Sequence, residues 1–110
     1  MALVFWRSSS QASIDTVRDV HQAFAHAGSG GPVVLAINDG ESPEEARRAA
    51  AEGGLGALIV DDPARDIALA YGINVWPTSI FLDGAGLVTG VRYGRFSGET
   101  GGRPSGQAAD

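Results

Sequence analysis

The sequence has no cysteine among its 110 residues, and that single absence removes disulfides, thiolate metal ligands and a cysteine nucleophile together. Lysine is missing too. All eight basic residues are arginines, set against 13 acidic ones for a formal charge of -5. The acidic residues are scattered and no basic stripe exists to gather a phosphate backbone, so nucleic acid is not an expected partner. No run approaches the roughly 18 continuous apolar residues of a membrane-spanning helix. The N-terminus has neither the basic stretch nor the long apolar segment of a signal peptide.

What is present reads as one compact α/β unit. With 44% apolar and 19% charged residues, a single hydrophobic core is expected. Ala2 to Trp6 is a short apolar run whose aromatic and β-branched content suits a buried strand. From Gln11 to Ala27, Ile14, Val17, Val20, His21 and Phe24 recur at helical spacing, behind a serine cap. Pro32 to Ile37 is unbroken apolar sequence, as in a strand covered on both faces. Ser42-Pro43-Glu44-Glu45 combines cap, first-turn proline and a glutamate placed to reach back, which predicts a helix to about Glu52. Ala57 to Val60 predicts a third strand. Asp62-Pro63 repeats the cap-and-proline entry for a short helix carrying Ile67, Ala70 and Tyr71. Thr78 to Leu82 and Leu87 to Tyr93 flank Asp83-Gly84-Ala85-Gly86, a hairpin signal. The expected order is βαβαβαββ, a central mixed sheet with flanking helices and no C-terminal helix. We expect residues 1–96 to form the domain and residues 97–110, rich in glycine and without apolar period, to be a flexible tail or linker. The start on a strand one residue after Met1 and the linker-like end suggest a domain excised from a longer protein.

Several strings, in order, carry a resemblance. Phe5-Trp6 closes the first strand; Arg7-Ser8-Ser9 is a three-residue spacer; Ser10-Gln11-Ala12-Ser13 opens the helix; then come Tyr71-Gly72, Trp76-Pro77-Thr78 and Phe81-Leu82-Asp83-Gly84. Over most of residues 2–96 the chain resembles the thioredoxin superfamily, particularly the TlpA-like thiol-disulfide oxidoreductases related to the peroxiredoxin (AhpC/TSA) group. The resemblance implies a thioredoxin-like fold and places a degenerate Cys-x-x-Cys motif at Ser10 and Ser13. It implies a cis peptide before Pro77, facing the head of the helix. It further implies a groove in which Trp6, Gln11, Ala12, Trp76, Pro77 and Thr78 bind an extended peptide. The Glu41 to Glu45 helix start and the strand after it resemble the insertion that distinguishes these proteins from minimal thioredoxin. Relatives in this family are often extracytoplasmic.

The family's chemistry needs a thiolate at the first cysteine position, stabilised by the helix N-terminus, and a second thiol to resolve the mixed disulfide. Serine stays protonated at neutral pH and makes no such bond. The chain is therefore expected to be redox-inactive and to act as a binding or structural module of a larger protein, with no cofactor and no metal. Its partner would be an extended peptide or protein, another domain of the parent protein, or a second copy of itself. The alternative is a cysteine-to-serine form of an active oxidoreductase. Ser9 where the family often has Trp, Thr16 where it often has an acidic residue, and Arg18 where proline is common all favour natural loss. An uncovered sheet face beside the Ser10 helix is also expected, because no final helix follows.

Other readings are weaker. A serine nucleophile among Ser8, Ser9 and Ser10 has no base, since His21 lies two turns beyond Ser13, roughly 12 Å along the helix. A serine that hydrogen-bonds glutathione, as in some glutathione transferases, would need the separate helical domain of those enzymes. Asp15 with Asp19, and Asp61 with Asp62, lack the further oxygen ligands of a hard-metal loop and read as solvated charges or caps.

Overall fold

Ala2 to Trp6 forms the central strand β1, and none of its five side chains is more than 5% exposed. The computed structural model describes residues 1–25 and 33–95. The expected tail over 97–110, together with residues 26, 27 and 32, lies outside the described residues. After β1 come α1 (Gln11–Ala25), β2 (Val34–Asp39), α2 (Pro43–Glu52), β3 (Leu58–Asp62), α3 (Asp66–Ala70), β4 (Thr78–Leu82) and β5 (Val88–Tyr93). The strands make one sheet in the order β3-β2-β1-β4-β5. β1, β2 and β3 run parallel, while β4 and β5 are antiparallel to their neighbours. This is the α/β, βαβαβαββ thioredoxin-like arrangement anticipated above.

Alternation along β1 divides the core. Ala2, Val4 and Trp6 point to one face, where they meet Ile14, Val17 and Val20 of α1 and Ala46, Ala49 and Ala50 of α2. Leu3 and Phe5 point to the other, with Ile37, Ala68, Ile73 and Ile80. Small residues on α2 let that helix lie close to the strands. Its entry is as the sequence predicts, with the Ser42 hydroxyl accepting from the Glu45 amide at 3.2 Å and Pro43 in the first turn.

Four expectations need correction. β2 and β3 extend two residues past their predicted ends, because the parallel ladder continues through Asn38↔Asp61 and Asp39↔Asp62. Asp62 therefore ends a strand and does not start the helix. Its carboxylate still caps α3 from a distance, accepting from the Ile67 and Ala68 amides at 3.2 and 2.9 Å. The exposed large apolar side chains of the strands, Leu58, Val88, Val91 and Tyr93, pair with Leu35, Leu82, Ile80 and Thr78 and so lie on the α3 face, not on the face beside α1. Asp15 and Asp19 are not merely solvated either: Arg95, just past β5, reaches them at 3.5 and 3.0 Å and ties that end of the sheet to α1.

Candidate functional site

Ser10 stands immediately before α1, and its hydroxyl oxygen accepts from the Ser13 amide at 3.0 Å, which makes it the helix cap the sequence predicts. Ser10 is partly exposed, Gln11 exposed and Ala12 partly exposed. Ser13 is different. It is fully buried, and among the described residues its hydroxyl has no hydrogen-bond partner, a deficit of about 1–3 kcal/mol for a buried polar group. The position suits a group less demanding of hydrogen bonds than serine.

The Trp76-Pro77 peptide is cis, as the resemblance implies. Pro77 and Thr78 are buried, and the Thr78 hydroxyl donates to the Val75 carbonyl at 2.8 Å. Trp76 remains partly exposed. Trp6 does not join it in a groove: it is 0% exposed and packs on the α1 side of the sheet, while Trp76 packs on the α3 side. Strand alternation directs the Trp6 indole away from the face that Trp76 covers.

Arg7 joins the hydroxyl pair to the proline bend. Its carbonyl accepts from the Ser10 amide at 3.2 Å, and its guanidinium carbon lies 3.8 Å from the centre of the Trp76 ring, a cation–π contact. The Arg7 Nε donates to the Asp39 carbonyl at 2.9 Å. Asp39 itself is 0% exposed at the end of β2. Its carboxylate accepts from Arg65 Nε at 2.7 Å and Arg65 Nη2 at 3.3 Å, and from the Trp76 indole N–H. Arg65 also donates to the Ile73 carbonyl at 2.8 Å, and its guanidinium lies 5.5 Å from the Trp76 ring. The Asp39 hydrogen bonds, ahead of the opposing effect of desolvation and joined by the charges of Asp39 and Asp62, raise the Arg65 pKa above its ordinary value. Gly40, at φ +79, fits here because a Cβ would come within 3.1 Å of Arg7 Nη2 and 3.3 Å of Arg65 Cγ. Sequence reasoning missed Arg7, Asp39 and Arg65 as a unit.

A second tie holds the serine loop. Glu41 accepts from the Ser8 amide at 2.8 Å, the Ser8 hydroxyl at 2.7 Å and the Asn38 side-chain amide at 2.8 Å. Burial pushes the Glu41 pKa up, but the two Ser8 bonds, the Asn38 bond and the Arg7 charge together bring it below its ordinary value of 4.5. A carboxyl group with a depressed folded-state pKa adds stability above its unfolded pKa and loses it as pH falls through the folded one. Glu41→Gln is therefore expected to shallow the fall in melting temperature below about pH 4.5 relative to the unaltered chain. Parallel acid limbs in the two chains would show that this carboxylate contributes nothing.

The chemistry available is limited. Among the described residues no group of three or more His, Asp or Glu side chains stands together to hold a metal ion. His21 is a half-buried helix residue whose ring packs beside Gly56, its Cε1 3.0 Å from where a Cβ there would sit.

No family profile and no curated protein sequence matches the chain. Solved structures do. A protein described as a putative thiol:disulfide interchange protein DsbE from Chlorobium tepidum is 23% identical with a TM-score of 0.80, over 89% of this chain and 70% of that one. StoA from Bacillus subtilis is 19% identical, with a TM-score of 0.76 over 90% of this chain and 76% of its own. A secreted Mycobacterium tuberculosis disulfide oxidoreductase is 15% identical, with a TM-score of 0.75 over 89% and 73%. At these identities the likeness is one of fold. The chain has a thioredoxin-like fold whose structural neighbours are TlpA/DsbE-like thiol-disulfide oxidoreductases, and it contains no cysteine with which to carry out dithiol exchange.

Proposed function

We propose that this domain binds an extended protein segment at the Trp76-Pro77 bend, as a module without redox chemistry of its own. Dithiol exchange requires an attacking and a resolving thiol, and both positions carry hydroxyls. The observation that supports binding is on the main chain. Among the described residues the Trp76 backbone N–H and C=O make no hydrogen bond, although the residue lies two positions before β4 at the edge of the bend. A partner strand laid there would satisfy both, at about 1 kcal/mol for each bond, in the manner of strand addition.

The surrounding scaffold supports the same reading. Trp76 is held by a buried carboxylate and a stacked arginine, and Ser10 still caps α1. Such anchoring has no purpose in thiol chemistry the chain lacks, but it keeps a rigid rim for a segment to lie against.

Selection from a displayed random-peptide library, followed by amide NMR titration, tests this. The expected result is an enriched set of peptides that shift Val75, Trp76 and Thr78 most strongly. Either no enrichment, or shifts centred on another face, would count against the reading.

A further inference from the structure

We propose that the α3 face of the sheet, at the end away from the serine loop, is the contact surface of a two-fold homodimer. The strand register lines up Leu58, Leu35, Leu3, Ile80 and Val91 in one row across all five strands. Every member is apolar; Leu3 and Ile80 are buried at 5% and 4% exposure, and Leu58 and Val91 at the two ends stand exposed. On the opposite face α1 and α2, of 15 and 10 residues, cover the strands, but among the described residues this face has the five residues of α3 and, after it, Ile73 and Trp76. A mixed sheet built mainly of parallel strands is normally covered on both sides.

The consequence shows in exposure. Leu58 is 62% exposed, Val88 53%, Val91 46% and Tyr93 70%. Pairing with Leu35, Leu82, Ile80 and Thr78 places these four on the α3 face. Strand alternation adds Met1 and Val33, at 42% and 46%. No charged side chain lies in the row or beside it on this face; Asp39 and Asp62 are at the other end of their strands.

Three considerations select a second copy as the occupant. Outside residues 1–25 and 33–95 the sequence carries one large apolar side chain, Phe96, against the six exposed here. An apolar patch without charged side chains complements another of the same kind, and a two-fold axis brings identical patches together. The size is also adequate. Specific interfaces cover about 800 Å² per partner, a little over half of it apolar. Six side chains each about half exposed provide an apolar centre on the order of 400 Å².

The proposal is independent of peptide binding at Trp76. Sedimentation equilibrium of the full 110-residue chain tests it, with Leu58→Lys, Val91→Lys and, on the exposed side of α1, Gln22→Lys. The chain is expected to be dimeric, with dissociation favoured at least about tenfold by either lysine on the α3 face and unaffected by Gln22→Lys, while circular dichroism stays unchanged in all three. A monomer at every concentration overturns the proposal, and points instead to a different protein as occupant. So does a dimer that both α3-face variants leave intact, or one that Gln22→Lys weakens equally.

Discussion

Replacing Asp39 by alanine is expected to cost about 3–5 kcal/mol of folding stability, the range for removing one partner of a buried ion pair. Asp39 is 0% exposed and the carboxylate is the common acceptor for Arg65 and the Trp76 indole. Arg65 is 29% exposed and Arg7 31%, so both retain hydration when the carboxylate goes, which sets the expected loss toward the lower figure. Against a typical total of about 5–15 kcal/mol that is still severe. Asp39→Asn should cost less, since an amide oxygen still accepts from the indole while the charge pairing is lost. Thermal denaturation of the two variants gives the answer, and an Asp39→Ala chain that melts with the unaltered one would show that the cluster stabilises nothing.

The second large effect is a gain. Ser10→Cys with Ser13→Cys is expected to yield a dithiol that oxidises to an intramolecular disulfide and reduces insulin in the presence of dithiothreitol, where the unaltered chain gives only the blank rate. The geometry favours it at both ends. The side chain at position 10 already reaches the amide of residue 13 at 3.0 Å, where a thiolate would be stabilised by that N–H and the helix dipole. Position 13 is buried, and its hydroxyl has no partner among the described residues, whereas a thiol is a weak donor that tolerates apolar surroundings. The single change Ser13→Cys should consequently raise the melting temperature on its own. A pair that remains reduced under mild oxidant would argue that the head of α1 is not arranged as described.

Much of this was legible beforehand because local rules and tertiary packing agree. The apolar run Ala2 to Trp6, the cap at Ser42 with Pro43, and the Asp83 turn all name their own structures. In the turn, the Asp83 carboxylate accepts from the Ala85 and Leu87 amides at 2.9 and 3.0 Å. The strand ends were less legible. Asn38 and Asp39 look like loop residues, and the ladders to Trp6 on one side and to Asp61 and Asp62 on the other keep them extended. The site was half visible: Ser10, Ser13, Trp76 and Pro77 could be placed through a family pattern, but Trp6 could not be assigned a face without the register. The Arg7–Asp39–Arg65 cluster left no local trace, since Arg7 and Arg65 lie 32 and 26 residues from Asp39 and meet it only through the parallel crossover.

Arg65 has a backbone φ of 66°, in the left-handed region that disfavours any side chain. Its side chain must nonetheless span to Asp39 and Ile73 at once. These two demands restrict which amino acids the position tolerates. Glycine would relax the backbone and abandon the carboxylate; asparagine suits the turn but is too short; lysine has the reach but not the fork that grips two oxygens. The residue just ahead of α3 is thereby among the least exchangeable in the domain, although it is neither in the core nor at the serine pair.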